Sequence, residues 1–306
     1  MINIKSFSFF FIFSLFLFWT LYTPDIPIDE LKAKYSNNYS KFISIDGINV
    51  HYRDEGGGFP ILLIHGTGSS LHTWDEWTKK LKNKYRVIRL DLPGYGLTGP
   101  DSKKKYSLDY YKLFIEKFID HLNLEKTYLA GNSLGGSISW YYSSFNQDKV
   151  KKLILVSPGG FPPDKGLPFI FKVARTPIIN QMLKFFTPRR FIEMNLKEVY
   201  YDNKKISESL IDRYYDLTLR EGNREAFIDR AFIERQYFTD RLKLINCPTL
   251  IMWGKQDNWI PYTDALKFEK KIPDNKVIIM DKTGHVPMEE RPLESIKYVM
   301  NFINEN

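Results

Sequence analysis

The chain of 306 residues has a single cysteine, Cys247, which excludes an internal disulfide. It also lacks any Cys/His cluster with metal-ligand spacing, so neither a metal nor another cofactor is expected. Internal repeats, low-complexity tracts and nucleic-acid motifs are missing too. The formal charge of +8 therefore points toward an anionic surface and away from nucleic acid. From Phe7 to Tyr22, FSFFFIFSLFLFWTLY, charge is absent altogether. A helix of that length reaches about 24 Å at ~1.5 Å per residue, a little short of a ~30 Å hydrocarbon core. No small-residue cleavage site follows it. The expectation is a membrane anchor over residues 7–22, with the rest of the chain outside the cytoplasmic membrane. Lys5 before the apolar run and Asp25, Asp29 and Glu30 after it set that orientation. Secretion after signal cleavage is the alternative.

What is present is apolar residue, 43% of the chain, enough for a substantial core. After a polar linker, Thr23 to Lys41, two short strand patterns meet at Asp46-Gly47, a hairpin signal. Near-continuous aliphatic runs follow: PILLIHG at 60, YRVIRLDLPG at 85, KTYLAGNS at 126, KKLILVSPGG at 151, PTLIMWGKQD at 248 and KVIIMDKTGH at 276. Such runs suit strands buried on both faces of a parallel sheet. Helical patterns lie between them, clearest over Ser107 to His121, Leu134 to Phe145, Thr263 to Lys271 and Pro292 to Asn304. The alternation predicts an α/β fold with a mostly parallel, doubly wound sheet.

One interval breaks the rhythm, because residues 161–244 separate two consecutive strands. A structureless loop of that length is improbable, so a helical lid inserted after the sixth strand is expected. The division predicted is 1–41 for the anchor or signal segment plus linker, 42–160 and 245–306 for the two parts of the core, and 161–244 for the lid. From Lys165 to Phe191 the lid has no acidic residue but carries Lys165, Lys172, Arg175, Lys184, Arg189 and Arg190. That pattern reads either as a solvated basic face or as a surface that touches lipid.

The strongest chemical signal is Gly131-Asn132-Ser133-Leu134-Gly135-Gly136, a G-x-S-x-G sequence directly after a strand and directly before a helix. A nucleophilic serine needs its hydroxyl held out at a sharp strand-to-helix turn, and flanking glycines give the backbone room. The bland reading, a glycine-rich turn with a capping serine, loses to the partners that follow. A serine hydroxyl requires a base in hydrogen-bond reach and a carboxylate to orient that base. In the order Ser, acid, His, Asp257 falls in the turn after TLIMWG and His285 in the loop after VIIMD. His51, His72 and His121 sit on or beside elements that do not face such a turn. His65 opens His65-Gly66-Thr67-Gly68, a loop suited to shaping an oxyanion hole whose expected donors are the backbone N–H groups of Thr67 and Leu134. Asp91-Leu92-Pro93-Gly94-Tyr95-Gly96 reads as a structural turn.

These residues resemble the α/β-hydrolase superfamily, in the esterase- and lipase-like branch with an HGxG loop, a GNSxGG elbow and a helical lid. HGTG at 65, DLPGYG at 91, GNSLGG at 131, SPGG at 157, WGKQD at 253 and GHVPMEERP at 284 occur in the order the resemblance requires. It implies the α/β-hydrolase fold and a serine hydrolase that cleaves small-molecule carboxylic esters, some of them lipid-like, through an acyl-enzyme. GNSLGG and SPGG are also similar to the carbon–carbon bond hydrolases of aromatic meta-cleavage pathways, which commonly place Trp where this chain has Val286. Epoxide hydrolases and haloalkane dehalogenases use Asp at the elbow, and Ser133 argues against both. A binding protein that keeps the fold without turnover is the reading from a different class.

Overall fold

The computed structural model describes residues 19–163 and 166–305. Its first supersecondary unit is the hairpin of β1 (Ser40–Ile45) and β2 (Ile48–Glu55). The two connecting residues, Asp46 at φ 52° and Gly47 at φ 87°, are both left-handed, the geometry that matches the twist of a two-residue hairpin. β3 (Pro60–Ile64), β4 (Arg86–Leu90), β5 (Thr127–Asn132), β6 (Val150–Val156), β7 (Thr249–Gly254) and β8 (Asn275–Met280) complete one eight-stranded sheet. Its order is β1-β2-β4-β3-β5-β6-β7-β8, parallel from β4 through β8.

The aliphatic runs are continuous because the central strands are covered on both sides, and in β5 and β7 every residue is buried. Alternate residues feed opposite layers. Leu62, Ile64, Leu129, Leu153 and Ile251 pack with Phe114, Phe118 and Ile138 on one face. Leu63, Ala130, Ile154 and Met252 pack with Trp74, Trp77, Val299 and Phe302 on the other. Each fully buried Leu or Ile contributes roughly 1.5–3 kcal/mol.

Between β6 and β7 the chain forms helices Phe169–Arg175, Ile179–Met182, Arg189–Val199, Glu208–Thr218 and Asn223–Phe232. The Ser207 side chain caps the fourth of these by accepting from the Leu210 N–H. Much of the basic character of this insertion is answered internally. Lys184 pairs with Glu225 at 3.0 Å, and Arg189 reaches both Glu208 and Asp212. Lys165 lies outside the described residues.

Two sequence expectations at the N-terminus need correction. The stretch expected as a linker contains a helix, Ile28–Tyr35, with Leu31 buried against Leu97 and Leu217. Ile28, Leu31 and Tyr35 recur at helical spacing, which gives the short helix one apolar side to bury. Lys34 and Tyr35 bond to Asp216, and Asp25 pairs with Arg224 at 2.7 Å, so the segment is docked on the insertion. The membrane anchor over residues 7–22, and with it the tethered extracytoplasmic placement, is overturned. Among the described residues no helix is long and apolar enough to cross a membrane. Residues 7–18 of that segment lie outside the described residues. Just beyond it, the Thr23 N–H donates to the Phe185 carbonyl at 2.7 Å, so the chain joins the folded body there.

Candidate active site

β5 ends at Asn132 and a helix begins at Leu134, leaving Ser133 alone to make the turn at φ 52°, ψ −112°. A side-chain-bearing residue in such a region costs about 1–3 kcal/mol, held only where the surroundings enforce it. Here they do. The Ser133 N–H donates to Val156 O at 3.0 Å, and its carbonyl accepts from the Ser137 and Gly159 N–H groups at 2.9 and 3.2 Å. The turn closes only over glycine: a Cβ on Gly131 would stand 2.2 Å from Gly135 O, and one on Gly135 would stand 2.1 Å from Ile64 O.

Asp257 and His285 come together across the loops after β7 and β8. The His285 Nδ1–H donates to Asp257 Oδ2 at 2.7 Å, with both side chains almost wholly buried. Asp257 Oδ2 also accepts from Trp253 Nε1, and Oδ1 accepts from the Trp259 and Ile260 N–H groups at 2.8 and 2.9 Å. The carboxylate thus accepts from four N–H donors, and its bond to the ring places the imidazole proton on Nδ1. His285 Nε2 is left as an acceptor, buried and without a hydrogen-bond partner among the described residues. Ser133 and His285 are not joined by a hydrogen bond in this structure. Their loops are joined through Asn132, whose Nδ2 donates to both Val156 O and His285 O at 3.1 Å.

The histidine loop is also pinned to the insertion. The His285 N–H donates to Val199 O at 2.7 Å. Glu290, 1% exposed, accepts from Gly284 N at 2.7 Å on one oxygen and from Tyr201 N and Asp202 N at 3.1 and 2.7 Å on the other. Trp259 packs its ring 5.5 Å from the imidazole. Asn132, Glu290 and Trp259 escaped the sequence reading. Their positions were visible inside GNSLGG, GHVPMEERP and the turn after WGKQD, but nothing in one dimension says that they meet His285.

The His65-Gly66-Thr67-Gly68 loop runs against the elbow. A Cβ on Gly66 would lie 2.9 Å from Asn132 Oδ1 and 3.1 Å from Ser133 Cβ. His65 is fully buried; its Nδ1–H donates to Gly66 O at 2.7 Å and its Nε2 accepts from the Leu92 N–H at 3.0 Å. Burial pushes its pKa below the ordinary imidazole value, so it braces the loop as a neutral ring. Thr67, Ser133 and Leu134 line one cavity of about 190 Å³, together with Trp140, Phe171 and Trp259. Leu134 opens its helix, so its N–H has no intrahelical acceptor. Gly68 is exposed beyond the cavity rim. The turn after β4 is structural: Asp91 accepts from Leu71 N, Leu97 N and His51 Nδ1. His51 is consumed there, its Nδ1–H on Asp91 Oδ2 at 2.7 Å. Among the described residues no cluster of three or more His, Cys, Asp or Glu could hold a metal.

Residues 60–292 match the alpha/beta hydrolase fold family. The 2-hydroxy-6-oxo-6-(2'-aminophenyl)hexa-2,4-dienoic acid hydrolase of Metapseudomonas resinovorans is 28% identical over 90% of this chain and 95% of its own length. The uncharacterized hydrolase YugF of Bacillus subtilis (strain 168) is 26% identical over 85% of this chain and 96% of its own. Among solved structures, a serine hydrolase involved in carbazole degradation, the CarC enzyme, superposes with a TM-score of 0.75 at 25% identity, covering 86% of this chain and 98% of that one. The sheet order, the elbow between β5 and its helix, and the match over three quarters of its length place the chain in the α/β-hydrolase fold family.

Proposed function

We propose that this hydrolase cleaves carboxylic esters through an acyl-enzyme, with Ser133 as nucleophile, His285 as base and Asp257 as the group that orients and charges the base. The observation that carries the reading is the buried Asp257–His285 pair with a free Nε2, tied through Asn132 to the strained turn that bears Ser133. Ser133 Oγ attacks the ester carbonyl and passes its proton to His285 Nε2. The Thr67 and Leu134 N–H groups receive the oxyanion, and loss of one such donor typically costs about a hundred- to a thousandfold in rate. The alcohol leaves with the proton from His285, which then activates water to release the acid. His65, Gly66 and Gly68 shape the loop that presents Thr67.

The second reading is cleavage of a carbon–carbon bond beside a ketone, and the names of the relatives favour it. The Metapseudomonas protein and several others of about 25% identity are named for 2-hydroxy-6-oxo dienoates or dioates. That reaction asks more of the site, because the carbon leaving group departs only after a proton has been delivered to carbon. Ester cleavage needs nothing beyond the groups named above. Val286, beside His285, brings no polar hydrogen to a dienoate.

The deciding experiment gives wild type and Ser133→Ala p-nitrophenyl butyrate and a 2-hydroxy-6-oxo-dienoate side by side. Turnover of the ester that disappears in the variant supports the first reading. Dienoate cleavage with negligible ester turnover replaces it with the second, and turnover of either by Ser133→Ala sinks the assigned nucleophile.

A further inference from the structure

The cavity that holds Ser133 has an uneven charge. Arg175, Arg230 and Arg235 line it, and among the described residues none of them makes an ion pair. The contrast is sharpest on the helix Asn223–Phe232. Its other charged side chains are all answered: Arg224 by Asp25 at 2.7 Å, Glu225 by Lys184 at 3.0 Å and Asp229 by Lys104 at 3.4 Å. Arg230 is the one charged residue of this helix that lines the cavity among the described residues, half-buried, with a buried Nε that has no hydrogen-bond partner among them. Its charge reaches the buried Tyr95 and Tyr111 hydroxyls, where it opposes the rise that burial causes in their pKa values.

The other two cations stand nearer the mouth. The Arg175 Nε–H donates to Ala231 O at 2.6 Å, which fixes its guanidinium at the C-terminal end of the same helix. The Arg235 guanidinium lies 5.6 Å from the centre of the Phe171 ring. Loss of hydration and then the Arg230 and Arg175 charges hold Arg235 below its ordinary pKa, so the three share one positive region. Of the two carboxylates in the lining among the described residues, Asp264 is bound to Lys267 at 2.7 Å and Glu234 is exposed. A half-buried cation with no counter-charge is costly unless something negative visits it.

We infer that Arg230, with Arg175 and Arg235 above it, forms a subsite for a carboxylate carried by the substrate at a distance from the scissile carbonyl. The inference rests on the active site proposed above and adds the substrate class: an anionic acyl compound. Two sources share that chemistry, the monoester of a dicarboxylic acid and a dienoate whose carboxylate sits at the far end from its ketone.

The test compares kcat/KM for p-nitrophenyl hemiglutarate and p-nitrophenyl butyrate, which match in acyl type and differ in the terminal carboxylate, with a 2-hydroxy-6-oxo-dienoate as third substrate. In wild type the hemiglutarate is preferred, and added salt weakens the preference. In Arg230→Gln the ratio of anionic to neutral ester falls about ten- to a hundredfold, the loss expected when a charge-assisted hydrogen bond disappears, mostly through KM. Arg230→Lys recovers part of it. If esters are not substrates, the same fall in dienoate kcat/KM identifies the dienoate as the source. Equal fold losses on both esters, or no preference in wild type, overturn the subsite. Should wild type turn over none of the three, the triad reading fails by itself, and binding decides the subsite. Glutarate then raises the Tm of wild type and not of Arg230→Gln, whereas 1,5-pentanediol raises neither, and equal shifts in both proteins overturn the proposal.

Discussion

Ser133 holds an unfavourable backbone conformation so that its side chain stands clear of both strand and helix, and the effect of removing its oxygen is correspondingly specific. Ser133→Ala keeps the turn and its three backbone hydrogen bonds, so the Tm stays near that of wild type while kcat falls by about a millionfold, as when a triad nucleophile is lost. A second residue-scale prediction concerns His72. It is buried, its Nδ1–H faces Ser70 Oγ and its Nε2 accepts from Arg53. Burial, and then the Arg53 charge against the opposing Asp75, lowers its pKa from 6.5 to about 3. The unfolded chain therefore takes up a proton in a range where the folded one does not, and stability rises with pH across it. The contribution of His72 is complete above pH 6.5 and is lost as pH falls from 6.5 through about 3. Urea midpoints measured at pH 7 and pH 5 should differ in that direction, and His72→Gln should flatten the difference. His65 adds to the same slope, since its pKa is lowered too.

At the scale of elements, the site depends on how closely loops approach one another. A Cβ at position 135 would meet backbone, Ile64 O at 2.1 Å and His65 O at 2.6 Å, and backbone cannot step aside. Gly135→Ala should therefore abolish soluble folded protein. Gly68→Ala has open space and only a left-handed φ of 72° to bear, a cost of roughly 1–2 kcal/mol that appears as a small Tm loss. Glu290 joins the histidine loop to residues 201 and 202 of the insertion. Glu290→Ala leaves three N–H groups without an acceptor and should cost about 3 kcal/mol or more in chemical denaturation, with Glu290→Gln recovering part. The eight strands and the four clearest helices were legible in the sequence, because runs buried on both faces are continuous and amphipathic helices repeat every third or fourth residue. The helix Ile28–Tyr35 was not legible: its apolar side is only Ile28, Leu31 and Tyr35, with Leu31 alone fully buried, too narrow a signal among its charges.

For the whole molecule, the insertion and the N-terminal stretch hold each other. Leu31 packs with Leu97 of the core and Leu217 of the insertion, so one side chain fastens three parts of the chain. Leu31→Ala should cost about 2–5 kcal/mol, read as a lower denaturation midpoint and faster proteolysis of the insertion. The position of Ser133, Asp257 and His285 at one edge of the sheet was legible in the sequence because each follows a strand run, and parallel strands all bring their C-terminal ends to one edge. The place of the His65-Gly66-Thr67-Gly68 loop beside that edge was legible for the same reason. What the sequence by itself determined is therefore the layer order and the chemistry at that edge, both consequences of local periodicity and of glycines where backbones touch. Only the tertiary structure decided that Asn132 ties the elbow to the histidine loop, that Glu290 clamps that loop to the insertion, and that Arg230 faces the cavity with no counter-charge among the described residues. Those are contacts between residues 88 to 153 apart in the sequence, or the lack of one, and a chain carries no periodic signal for which distant group a polar side chain will meet.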